Sequence, residues 1–124
     1  MGTDAADVLD VVGRVDRAAT QVVASWLVES EGFADGGPQS LADLGALAGR
    51  VPTSALINAH LMWRGTTIDM LEDEARRGTT DQALLDQARI VLTERCDAGL
   101  VAVSRQFDEP RDRLTGLANR SLLV

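Results

Sequence analysis

The chain reads as an all-α protein, a four-helix bundle or a globin-like helical domain. Three observations lead there. Apolar residues make up 45% of the 124 residues but aromatics only 3%, so the core must be built from Ala, Val and Leu, which favours helix packed on helix. Those apolar residues recur at spacings of three and four, and no alternating strand pattern or internal repeat is visible. Gly- and Pro-containing breaks fall only where one helical pattern gives way to the next.

The first helix is expected from Asp4 to about Ser30, with Val8, Val12, Val15, Ala19, Val22 and Trp26 as its apolar stripe and Asp10, Arg14, Arg17 and Gln21 off it. "EGFADGGPQS" at 31–40 ends it, leaving Ser40 to cap a short helix from Leu41 to about Ala48. In "GRVPTS", Pro52 suits the first turn of a third helix that runs to about Arg77. That helix is apolar on two adjoining faces, Leu56, Met62, Trp63 and Met70 on one and Ile57, Leu61, Ile68 and Leu71 on the other, so it should lie at the centre of the bundle. Gly78 is the expected C-cap, and Thr79 or Thr80 the cap of the fourth helix. The fourth should run from Asp81 to about Asp108, with Leu85, Ala88, Leu92, Cys96, Gly99, Val103 and Phe107 in one stripe, and stop at Pro110. Its small residues Ala98, Gly99 and Ala102 would let another helix approach closely.

The composition also excludes functions. A net charge of −7 lacks the basic footprint that nucleic acid or an anionic membrane surface requires. All twelve basic residues are Arg, which together with the weight of Ala, Gly, Val and Asp suggests a GC-rich bacterial source. The single cysteine, Cys96, cannot form an internal disulfide, and no signal-peptide core or long apolar run is present. A cytoplasmic protein is the expectation.

Few residues carry possible chemistry. His60, the only histidine, lies one turn from Leu56 and Trp63, and a ligand pocket, if there is one, should be lined by His60, Trp63, Met70 and Cys96. A proximal haem histidine would need large apolar and aromatic surroundings, and a chain with no Tyr and two Phe does not supply them, so no cofactor is expected. One His and one Cys make no metal set, and no metal site is expected. In "DMLEDEARR" at 69–77, Asp69 precedes Asp73 by one turn and Glu72 can pair with Arg76; the reading is a solvated helical face. No phosphate loop, nucleophile elbow or catalytic triad pattern occurs, so no catalytic residue is assigned and this chain is not expected to be an enzyme by itself.

The last residues carry the most specific signal. Asn119 could cap a helix beginning at Arg120, with Thr115-Gly116 as the turn before it. Asp112-x-Leu114-Thr115-Gly116-Leu117-x-Asn119-Arg120 resembles the opening motif of GGDEF domains, the diguanylate cyclases that make cyclic di-GMP from two GTP molecules. The resemblance covers residues 112–124, and the family's GG[DE]EF signature, metal ligands and guanine-contacting residues would lie further along, so it assigns no catalytic role to any residue here. It implies two parts: 1–109, a helical sensor or dimerisation domain, and 110–124, a linker and the start of a GGDEF domain. Residues 1–109, and "VPTSALINAHLMWRGTTIDMLEDEA" above all, also resemble more weakly the non-haem globin modules of stressosome-type regulators. Together these imply a regulatory module of a cyclic di-GMP signalling protein, homodimeric through its third and fourth helices. Its alternatives are a small-ligand or haem-binding globin-like sensor and a stand-alone helical protein–protein interaction domain. The tail from Asp112 is expected to be only loosely attached to the bundle.

Overall fold

A computed structural model describes residues 5–32 and 37–123, with side chains to Arg105. Among them four helices are found: α1 (Ala5–Glu31), α2 (Leu41–Gly45), α3 (Thr53–Arg77) and α4 (Gln82–Leu123). The only extended pairing among the described residues is the isolated bridge between Ala48 and Val51 that closes the turn after α2. The three long helices pack on one another and the short α2 lies against all three. The all-α expectation therefore holds.

The helix ends follow the sequence chemistry closely. Ser40 adopts an extended backbone and its hydroxyl accepts from the Asp43 amide at 3.2 Å, while the Asp43 carboxylate accepts from the Gln39 amide at 3.1 Å. Gly32 and Gly78 each take φ near +67° just past a helix, at +66° and +68°, a conformation that a Cβ would strain. The cap of α4 is Asp81 rather than Thr79 or Thr80: its carboxylate accepts from the Ala83 amide at 3.2 Å. Of the 31–40 break, Phe33–Gly36 lie outside the described residues.

The core is Val, Leu and Ala around one tryptophan, with Trp63, Leu27, Leu44, Leu56 and Leu92 fully enclosed. On α1 the buried stripe differs from the expected one in its second half. Val8, Val12, Val15 and Ala19 are buried, but the stripe continues through Val23 and Leu27, while Val22 is exposed and Trp26 only partly covered. An alternating three-four spacing follows a 3.5-residue period, and a straight helix drifts from it by about 20° per heptad. The run Val15, Ala19, Val23, Leu27 is the i+4 ridge that a crossing helix buries. On α3 one of the two expected faces is only half covered: Leu56, Trp63 and Leu71 are buried, whereas Leu61 is 50% exposed. In the acidic segment, Asp73 takes both arginines, Arg76 at 3.3 Å and Arg77 at 2.7 Å, in place of the expected Glu72–Arg76 pair.

The fourth helix does not stop at Pro110. Its backbone is helical from Gln82 to Leu123, 42 residues, so Thr115-Gly116 forms no turn and Asn119 no cap. At the other breaks the chain stacks several breakers together, as in Gly36-Gly37-Pro38 or Gly78-Thr79-Thr80. Pro110 stands alone among good helix formers, Glu109, Arg111, Arg113 and Leu114, and removes a single backbone donor. The side chains expected to project from this segment, Phe107, Leu114, Leu117, Leu122 and Leu123, lie outside those described.

Candidate functional site

The four residues expected to share a pocket do not do so. His60 and Trp63 are both fully buried on α3, yet they face different neighbours. Trp63 turns to α1, where its Nε1–H donates to Thr20 Oγ1 at 3.1 Å and Asp16 Oδ1 at 3.2 Å. The Thr20 hydroxyl donates to the same Asp16 oxygen at 3.1 Å, as does the Leu41 amide at 2.9 Å, at the start of α2. One half-buried carboxylate thus ties α1, α2 and α3 together. Met70 lies two turns further along α3, packed against the core.

His60 faces α4. Its Nδ1 stands 2.8 Å from the Leu56 carbonyl oxygen, which can only accept, so Nδ1 carries the proton. On the neutral ring Nε2 is then a bare acceptor, and it has no hydrogen-bond partner although it is buried. Cys96 packs beside it, its thiol donating to the His60 carbonyl at 3.4 Å. Burial pushes the Cys96 thiol above its ordinary value of 9.0, against a smaller lowering by Arg64, so it is a buried small apolar group and not a nucleophile.

What lies next to Nε2 is Gly99. A Cβ built on Gly99 would stand 2.9 Å from Nε2 and 3.0 Å from Cδ2, so only glycine lets the α4 backbone pack this closely on the ring. Next to this contact lies a cavity of about 340 Å³ between α2 and α4, with His60 among its lining residues. Leu41, Ala42 and Gly45 form one wall and Ala98, Gly99, Ala102 and Val103 the other, with the Asp16 carboxylate and Arg95 as the remaining polar groups. Ala42, Arg95, Ala98 and Ala102 are exposed, so the cavity opens to solvent along that side. The lining is thus apolar apart from three side chains, two of them acceptors.

The sequence singled out His60 and the thin Ala98-Gly99-Ala102 face, and the structure brings these together. It missed Asp16 and Arg95. Asp16 borders the α1 stripe one turn before Thr20, and a carboxylate and a hydroxyl at i and i+4 beside a buried stripe is the signal that could have found it. Arg95 gives no such signal. A second hollow, between Val8 and Leu9 of α1 and Gln87 and Val91 of α4, has no buried polar group.

Among the described residues no three His, Cys, Asp or Glu side chains converge as a metal site, and no helix is long and apolar enough to cross a membrane. No known protein family matches the chain, and neither a curated protein nor a solved structure does so.

Proposed function

We propose that this chain is a cytoplasmic regulatory module of a cyclic di-GMP signalling protein, one that dimerises through α3 and α4 and controls an attached diguanylate cyclase domain. The observation that carries the reading is the GGDEF-like opening motif at 112–120 on the far end of α4, a helix unbroken from the bundle. At 1.5 Å per residue α4 is about 63 Å long, whereas the 25 residues of α3 span about 38 Å, so α4 outreaches its partners. A stalk of that kind transmits orientation, and two GTP-loaded cyclase domains must meet face to face to react.

Support for the dimer comes from the outer surface. Leu61 on α3 and Ile90 and Val101 on α4 are each at least half exposed. Ile90 and Val101 are eleven residues apart, three helical turns, and so share a face of α4. Leu61 and Val101 each lie one turn from the Arg64–Asp97 ion pair that links the two helices at 3.3 Å. A C2 contact would bury the same patch from both copies. Light scattering at tens of micromolar is expected to give a dimer, and Val101→Glu a monomer. Any coding sequence beyond Val124 is expected to contain a GG[DE]EF signature. A monomeric protein, or a continuation without that signature, would overturn the reading in favour of a plain interaction domain.

A further inference from the structure

We propose that the cavity between α2 and α4 is a binding site for a small aliphatic α-amino acid, held by its ammonium on Asp16 Oδ2 and by its carboxylate on the Arg95 guanidinium. This goes beyond the regulatory reading and stands whether or not a cyclase is attached.

The argument begins with two opposite charges on one cavity. Asp16 and Arg95 both line the space of about 340 Å³, and no ion pair joins them. The two oxygens of Asp16 have different fates. Oδ1 accepts from the Thr20 hydroxyl, the Leu41 amide and the Trp63 indole N–H. Oδ2 accepts from none of the described groups, and the buried polar side-chain atoms without a partner are His60 Nε2 and Glu74 Oε2, so Asp16 Oδ2 is open to solvent. Arg95, exposed on the rim, has no partner among the described residues, whereas Arg14, Arg64, Arg76 and Arg77 each take a carboxylate.

Both charges belong to the same end of the cavity. The short connection Gly78–Asp81 makes α3 and α4 antiparallel neighbours, and His60 of α3 meets Gly99 of α4. Trp63, one turn further along α3, is therefore level with the turn of α4 that precedes Gly99, where Arg95 stands, and Trp63 is bonded to Asp16. Ala102 and Val103 lie beyond Gly99, away from Arg95, and with Leu41 they supply an apolar wall. A matching ligand carries an ammonium and a carboxylate at one end and a hydrocarbon body at the other, which is the layout of an aliphatic α-amino acid. The volume lies at the lower end of the range that holds small organic ligands.

Leucine and its two truncated forms test this. 3-Methylbutylamine is leucine without the carboxylate, and 4-methylpentanoate is leucine without the ammonium. The Trp63 indole N–H shares the Asp16 carboxylate with the ligand, so its proton-nitrogen resonance reports binding, and Trp26→Phe identifies that resonance because the chain has two tryptophans. Leucine is expected to move it saturably, and each truncated form to bind at least ten-fold more weakly, the loss that one charged hydrogen bond implies. Arg95→Gln, at an exposed position, is expected to lower the affinity for leucine to that of the amine and to leave binding of the amine unchanged. Ala102→Phe, which fills the apolar end, is expected to abolish leucine binding while the far-ultraviolet dichroism is unchanged. Equal affinity of the three probes would overturn the charge requirement, and leucine binding that survives both substitutions would overturn the location. No saturable shift with leucine at millimolar concentration would overturn the proposal outright.

Discussion

His60 and Trp63 stand one turn apart on the same helix, both fully buried, and their polar atoms meet opposite fates. The Trp63 indole N–H enters a network with Thr20, Asp16 and the Leu41 amide that joins three helices. The outer nitrogen of His60 is packed against a glycine and has no hydrogen-bond partner. In the first region polar groups are spent on holding the helices in register. In the second, a glycine lets α4 pack directly on a ring nitrogen that finds no hydrogen-bond partner. The contrast separates a satisfied polar cluster from an unsatisfied one.

The largest effect should come from the satisfied side. Asp16→Ala strands the Leu41 amide and weakens the pairing of the Trp63 indole, and is expected to lower unfolding stability in urea by about 3 kcal/mol, since each buried group left unpaired costs about 1–3 kcal/mol. If the loss were below 1 kcal/mol, the network would not be what joins α1, α2 and α3.

Glycines sharpen the comparison at the next level. Gly13 of α1 is helical with nothing within 4 Å of its missing Cβ, so Gly13→Ala should stabilise by about 0.5–1 kcal/mol. Gly99→Ala gains the same helical term but drives a methyl to 2.9 Å from the His60 ring, and overpacking of about 1–3 kcal/mol should outweigh it. Opposite signs for one chemical change at two helical glycines are the expected result in a thermal melt. Two stabilising substitutions would mean that the His60 ring moves freely aside.

A smaller effect belongs to Cys96. Its folded-state value is raised by burial, so the thiol holds its proton more tightly in the native than in the unfolded chain. The stability linked to it is fully present below about pH 9 and declines as pH rises through the folded value. Alkylation at pH 8 should be slow and rise only with denaturant; rapid labelling of the native protein would contradict the burial.

Much of the fold was legible because its signals are local. Ser40 and Gly78 mark helix ends by backbone chemistry that needs no partner and act where expected, while Pro52 stands one residue earlier than expected, as the N-cap of α3. What failed depended on partners. Val22 and Val23 are equivalent to a periodicity argument, and only the crossing of α1 with its neighbours selects Val23. Pro110 is a breaker by propensity, but a single missing donor does not end α4. At the site, His60 and Gly99 were each visible, on separate helices, while their meeting is a tertiary fact. The expected grouping of His60 with Trp63 failed because the Trp63 indole is held by Asp16 and Thr20 of α1 while the His60 ring packs on Gly99 of α4, a choice of partner that spacing along one helix does not reveal.

The most direct test replaces each polar centre by an apolar one and compares the two losses. His60→Leu keeps the bulk of the ring, removes an acceptor that no protein group satisfies, and is expected to leave unfolding stability in urea within about 1 kcal/mol of the parent chain. Asp16→Ala, measured alongside, should cost about three times that or more. A loss for His60→Leu equal to that for Asp16→Ala would contradict the account, because it would make the unpaired nitrogen as structural as the carboxylate.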